Sequence, residues 1–274
     1  MGRARGSAAA FFGIMLLAIG CREGVAADNQ AKAPRAPRAT ASGAPGPADL
    51  VRAYPDHVAS VDATHVVLRD GRRLALSDGI ANKTPAERIR NPDLDDMFAQ
   101  VYRPGRPSGP PAPDDDPGRA RYEPFFDYVY GDCNRGEVTP RLRPVRWMSS
   151  RGGAVLMVNT ANGVADRLEA VIRELERLPP EFTRYLVPAA GTYNCRFIAG
   201  TRQRSMHAYG VAIDINVSQS DYWRWSGGEG ARYRNRIPWE IVRIFERHGF
   251  IWGGKWGHFD TMHFEYRPEL LPPR

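Results

Sequence analysis

The chain is poor in cysteine and lacks several common signatures, and each absence narrows what it can be. Only three cysteines occur in 274 residues, and their positions give no zinc-finger spacing. There is no G-x-x-x-x-G-K loop, which removes the usual glycine cradle for nucleotide phosphates. No G-x-S-x-G elbow surrounds Ser205, so a serine nucleophile is not indicated. No internal repeat is visible. The one sustained apolar stretch, Ala8 to Gly20, is shorter than the roughly 18–20 residues that cross a bilayer. Positive charge is not concentrated in the body of the chain. The net charge is +7, but residues 1–48 hold six Lys/Arg and two acids, which leaves +3 for residues 49–274. That suits an anionic cell envelope and gives no reason to expect nucleic acid.

What is present begins with an N-terminus built like an export signal. Arg3 and Arg5 precede the apolar stretch, and small residues follow, so residues 1–27 are expected to direct secretion. Two processing sites compete. Val25-Ala26-Ala27 fits cleavage before Asp28, whereas Leu17-Ala18-Ile19-Gly20-Cys21 resembles a lipoprotein box ending at a lipidated Cys21. Contact with a membrane is expected only through that lipid. Setting Cys21 aside leaves Cys133 and Cys195 as an even pair in an oxidising compartment, either bridged or buried as two free thiols. Residues 28–48 are Ala-, Pro-, Arg- and Gly-rich without apolar periodicity, and read as an extended tether.

The whole chain is 42% hydrophobic, and residues 49–274 read as one α+β domain with helices packed on a small antiparallel sheet. An N-terminal hairpin is expected from Thr64–Arg69 and Arg72–Leu76, joined by a primed turn at Asp70-Gly71. Residues 80–125 are polar and proline-punctuated. Asp114-Asp115-Asp116 within them is read as a solvated loop, since the spacing does not suit a calcium-binding loop. Val164, Leu168, Val171, Ile172, Leu175 and Leu178 mark one face of a helix stopped by Pro179-Pro180, and a second helix is expected over 238–248. Short β-like runs lie at 154–158, 210–217 and 262–266.

Two of those runs carry polar residues where a core strand should not. In SMHAYGVAIDI (205–215), alternation places Ala212, Asp214 and Asn216 on one strand face. Gly210 would let the chain double back and bring His207 over Asp214. Alone, such a pair fits a structural hydrogen bond as readily as a metal. The later stretch DTMHFE (260–265) adds His263 as a third ligand, Asp260 as a nearby carboxylate, and Glu265 on the same strand face as His263. Catalytic zinc takes three protein ligands and leaves a position open, and its chemistry needs a carboxylate to move protons.

These motifs, with Trp252-Gly253-Gly254-x-Trp256, resemble the zinc D-alanyl-D-alanine carboxypeptidase and L-alanyl-D-glutamate peptidase family of bacterial cell-wall metallopeptidases. The likeness extends through Asn91–Leu94, Tyr122–Phe126, Ile198–Thr201 and Ile237–Val242, so it covers roughly residues 50–270. The resemblance implies a zinc-dependent peptidase acting on peptidoglycan stem peptides outside the cytoplasm. It further implies His207, Asp214 and His263 as zinc ligands and Asp260 as the catalytic base. Relatives carry an arginine on a strand shortly before the first ligand. Arg196 is assigned that role, with Arg202 and Arg204 as nearer alternatives. A non-catalytic zinc-stabilised cell-wall-binding module is the rival reading, and retention of Asp260 argues against it. His258 is expected at the rim, His248 at a helix end, and Tyr222–Trp225 at the edge of the core. Ser205 is expected to hydrogen-bond a ligand or its strand.

Overall fold

The structure, a computed structural model, describes residues 43–273. The signal-like segment, Cys21 and most of the tether lie outside the described residues. The architecture is mixed α+β, as expected, but its strands are divided among three small antiparallel sheets rather than gathered into one.

A short helix, α1 (Asp49–Ala53), leads into β1 (Val58–Val61), β2 (His65–Leu68) and β3 (Arg73–Ala75), which pair in that order. The β2–β3 hairpin forms, but without the primed turn. Leu68 N donates to Arg72 O, Gly71 takes φ +87°, and Asp70 is not among the positive-φ residues. A type I′ turn needs positive φ at both centres, so aspartate at position 70 gives a three-residue loop closed by glycine instead. Residues 80–125 are also more ordered than their polarity suggests. Thr84 and Glu87 form a reciprocal capping box at the start of α2 (Pro85–Arg90), which satisfies the first free amides of that helix. Behind it, Lys83 is buried among Asp78, Asp93 and Asp96 at 2.6, 3.4 and 2.7 Å. Asp116 is not solvated either, being 1% exposed and paired with Arg119 and His258.

Next come α3 (Glu123–Tyr130), then β4 (Leu142–Arg146) and β5 (Val155–Asn159), which pair with each other. The helix α4 (Val164–Leu175) buries its apolar face against them, and its end precedes Pro179-Pro180 as expected. A single turn, α5 (Thr183–Leu186), precedes β6 (Ala212–Asp214). Then α6 (Trp239–Arg247), capped by Pro238 and followed by Gly249, leads into β7 (Phe250–Trp252). The last strand, β8 (His263–Tyr266), lies between β6 and β7.

That central position decides the site. All four residues of β8 are buried, so both of its faces need partners. Phe264 and Tyr266 take the apolar side, where Phe264 stacks on Phe245 of α6 at 3.9 Å and Tyr266 meets Phe250 at 5.2 Å. Full burial of such a ring contributes about 2–3 kcal/mol, which fixes the register of the strand. His263 and Glu265 are thereby turned to the opposite face.

Candidate metal centre

Register brings the first two groups together. Asp214 of β6 is paired with His263 of β8, and Ala212 with Glu265. Side chains of directly opposed residues project from the same sheet face, so Asp214, His263 and Glu265 share it, and Ala212 adds no bulk there. Asn216, expected on this face as well, lies beyond β6. It caps the turn Val217–Gln219 and binds the carbonyls of Arg184 and Val187.

His207 arrives from a single helical turn, Met206–Tyr209. Ser205 Oγ accepts from His207 N at 3.3 Å, the local bond expected of it. Gly210 ends the turn at φ +70°, and a Cβ there would meet Leu142 Cδ2 at 2.8 Å. Only glycine both adopts that conformation readily and fits, and the reversal carries His207 over Asp214.

The three groups converge. His207 Nε2 lies 3.2 Å from Asp214 Oδ2 and 3.3 Å from His263 Nδ1, and His263 Nδ1 lies 3.0 Å from Asp214 Oδ1. One ligand atom from each falls within 4.8 Å of the others. Tetrahedral zinc with bonds of about 2.0–2.1 Å separates neighbouring ligand atoms by about 3.3 Å, so the spacing fits such an ion. The remaining ring nitrogens are held away. His207 Nδ1 meets Thr192 O at 2.6 Å, and His263 Nε2 meets Glu265 Oε2 at 2.9 Å. Each would donate its N–H outward and keep its inner lone pair for a metal.

These supports are themselves anchored. Thr192 Oγ1 donates to Met157 O of β5. Glu265 is fully buried between Arg121, at 2.5 Å, and Arg267, at 3.0 Å, and Arg267 continues to Glu269. Thr192, Arg121 and Arg267 were not anticipated. Arg267 had a signal, because His263, Glu265 and Arg267 prolong one polar face of a strand whose other face is aromatic. Thr192 had none, since it acts through its backbone carbonyl.

Charge at the site is strongly coupled. Burial works to raise the Asp214 carboxyl, but the His207 and His263 imidazoles overcome it and hold that group well below the ordinary range. His263 shows the reverse. Burial lowers it, while its hydrogen bonds to Asp214 and Glu265 lift it to about 10. Burial also acts to raise Glu265, and the Arg121 charge and His263 bond outweigh that and keep it ionised. The cluster is thus arranged around positive charge.

Asp260 stands apart from the three-residue group, at the end of a segment whose backbone bridges Tyr222. Its Oδ1 is sealed from solvent and has no hydrogen-bond partner. Burial first, and then the Asp214 charge, push its carboxyl up to about 7, against the pull of His263, His207 and Arg119. An unpartnered buried carboxylate oxygen beside three metal-type donors is what a site completed by a cation and a water would leave.

Arg196 is exposed. It lies near Tyr222, close enough to act on that phenol. Arg204 is taken up by Asp127 and Asp132 and is unavailable for substrate; Arg202 is exposed. His258 sits at the rim, 2.6 Å from Asp116, and His248 ends α6 beside Glu174 at 2.6 Å. Trp223 packs as expected, but Trp225 is 65% exposed. Cys133 and Cys195 are disulfide-bonded, tying the segment after α3 to the residue next to Arg196. Closing a loop of 62 residues in this way stabilises by about 4 kcal/mol on the chain-entropy account.

Residues 199–266 match the family model described as D-alanyl-D-alanine carboxypeptidase. The match takes in His207, Asp214, Asp260 and His263 and is narrower than the resemblance traced through residues 50–270. No curated protein matches the chain.

Proposed function

We propose that the protein is a zinc-dependent peptidase that cleaves peptidoglycan stem peptides, as a D-alanyl-D-alanine carboxypeptidase or an L-alanyl-D-glutamate endopeptidase. His207 Nε2, Asp214 and His263 Nδ1 would hold the ion. Bound there, zinc would polarise a peptide carbonyl and make water acidic enough to ionise near neutral pH. The observation that carries the reading is the unpartnered Oδ1 of Asp260 beside that donor set.

Asp260 takes the proton of the attacking water at its free oxygen and delivers it to the departing amine nitrogen. A carboxyl whose pKa lies near the working pH does both tasks well, and its burial beside Asp214 moves it in that direction. A nearby cation would draw it back down. Glu265, fixed by Arg121 and Arg267, keeps the His263 ring in the tautomer that presents Nδ1. Arg196, exposed and near Tyr222, would receive the scissile carbonyl oxygen or a substrate carboxylate.

The export signal, the Cys21 lipid and a periplasmic or cell-envelope location belong to the same proposal. The Cys133–Cys195 disulfide supports an oxidising compartment. Among the described residues, no helix is long and apolar enough to cross a membrane.

Replacing Asp260 with alanine tests the reading. The variant should hold zinc near one per chain yet lose about 10³-fold or more in cleavage of purified peptidoglycan, the scale of a lost general base. Fragment masses separate the two bond specificities, since only the first releases free D-alanine from pentapeptides. Zinc-loaded wild-type protein that leaves every stem peptide intact would sink the proposal in favour of a binding module.

A further inference from the structure

A cavity of about 980 Å³ is lined by none of the three metal-type donors. Its wall is nevertheless joined to them. Arg121 lines the cavity and binds Glu265, the partner of His263. Trp223 lines it and donates its backbone N–H to Phe259 O, one residue before Asp260. Arg119 lines it as well, beside the Trp256 ring. A ligand seated here would therefore extend from a molecule reacting at Asp260. The volume lies at the upper end of the roughly 300–1,000 Å³ of ligand sites, far more than one alanine leaving group would fill.

The charges in the wall do not balance. Among its acids, Asp116 is spent on Arg119 and His258, Glu123 accepts from the Arg204 backbone N–H at 2.7 Å, and Glu229 faces His258 at 3.5 Å. Asp114 is the remaining one. Among its arginines, Arg202 of the 197–204 hairpin is exposed with no partner among the described residues, and Arg90 of α2 is exposed and forms no hydrogen bond or ion pair there, its charge acting only on nearby Glu87. Arg224 donates only to the neutral carbonyl of Ala199, at 2.7 Å, while its guanidinium rests over Trp223. Three guanidinium groups from three separate segments thus face one cavity with a single uncommitted carboxylate. Arginine forks bind carboxylates bidentately, and the Trp223 and Tyr122 rings give a peptide backbone apolar surface to lie on.

We infer that this cavity takes a free carboxylate carried by the substrate several bonds from the one that is cut, with Arg90, Arg202 and Arg224 as its receptors. The inference rests on the proposed function and names its substrate class, a stem peptide bearing an unmodified internal carboxyl group. Amidating that carboxyl removes the charge that the arginines read.

The test uses the zinc-loaded full-length protein and two stem pentapeptides, identical except that the α-carboxylate of the second residue is free in one and amidated in the other. The free acid should be cut with a kcat/KM about tenfold higher. Arg202→Gln and Arg90→Gln, on different segments, should each lower that ratio about threefold, mainly through the KM of the acidic peptide. Raising the ionic strength should compress the ratio in wild type too, because exposed charges are screened. If one variant fails to fold, the other carries the test. Cleavage of both peptides at equal rates, or a ratio that neither substitution changes, would overturn the inference and leave the proposed function standing. Cleavage of neither peptide would overturn the proposed function and the inference with it.

Discussion

Two buried clusters of ionisable groups lie in this molecule, one behind α2 and one between β6 and β8. They solve the same physical problem differently. In the first, Asp78, Asp93 and Asp96 surround the Lys83 ammonium at 2.6–3.4 Å, and Arg88 adds a further contact at 3.4 Å. Burial works against the charged ammonium, but the three carboxylates raise its pKa regardless. Each charge has an opposite partner from the chain itself, so the cluster is self-contained. In the second, Asp214, Glu265 and Asp260 are set around two imidazoles, and Asp260 Oδ1 has no partner at all. The groups that meet at its centre, two imidazoles and the Asp214 carboxylate, are ones that could equally hold a metal. A closed cluster holds a loop in place, whereas an open one is equipped to receive something.

Breaking the closed cluster should have the largest effect on stability. Lys83→Met leaves two buried carboxylates without their ammonium, and removing one partner of a buried ion pair costs about 3–5 kcal/mol. For a domain of this size that is a fall of about 10 °C in Tm. Zinc content should stay near one per chain, because the α2 cluster shares no ligand with the other. A variant that melts like wild type would show that the carboxylates find other partners. One that loses zinc as well would show that the two clusters are not separate.

Emptying the open cluster should have a somewhat smaller effect. A ligand bound only to the folded state, at about one hundred times its Kd, stabilises by about 2.7 kcal/mol. Chelation should therefore lower Tm, and returning zinc should restore it. His263→Ala should abolish that response by removing Nδ1. An identical Tm with and without chelator would mean that His207, Asp214 and His263 form an ordinary polar core.

The two clusters also differed in how far the sequence revealed them. The open one was legible because it uses residue types that a buried strand rarely contains. His207, Asp214, Asp260 and His263 interrupt apolar alternation, and Gly210 marks the required reversal. The closed one was missed because all its members but Asp78 lie in residues 80–125, where polarity and proline resemble a solvated loop. The capping box of Thr84 and Glu87 was readable there, but burial of Lys83 depends on tertiary contacts that no local pattern encodes. Strand length failed for a related reason. The apolar run 210–217 suggested a long strand, yet β6 spans only Ala212–Asp214, because the chain turns at Asn216. The Asp70-Gly71 turn failed on backbone chemistry, since aspartate there does not adopt positive φ.

A third buried carboxylate lies between the two extremes and gives the smallest and most pH-specific prediction. Asp116 is paired with Arg119, which stays charged, and with His258, which can be discharged. The hydrogen bond from Asp116 raises the His258 pKa above 6.5 despite burial. Burial acts to raise Asp116, but His258 and Arg119 hold it below 3.8. The raised histidine contributes stability that is fully present below pH 6.5 and is lost as pH rises through its folded value. The depressed aspartate contributes stability present above pH 3.8 and lost as pH falls through its folded value. The pair should therefore be strongest between those two limits. His258→Gln should cost about 1 kcal/mol near pH 5–6, the scale of a partly exposed charged hydrogen bond, or about 2–4 °C in Tm. The difference from wild type should shrink toward zero as the pH rises past the histidine's folded value. A gap that stays constant from pH 5 to 9 would mean that the ring serves Asp116 only as a neutral donor. Asp116 would then belong with the closed cluster, balanced by Arg119 alone.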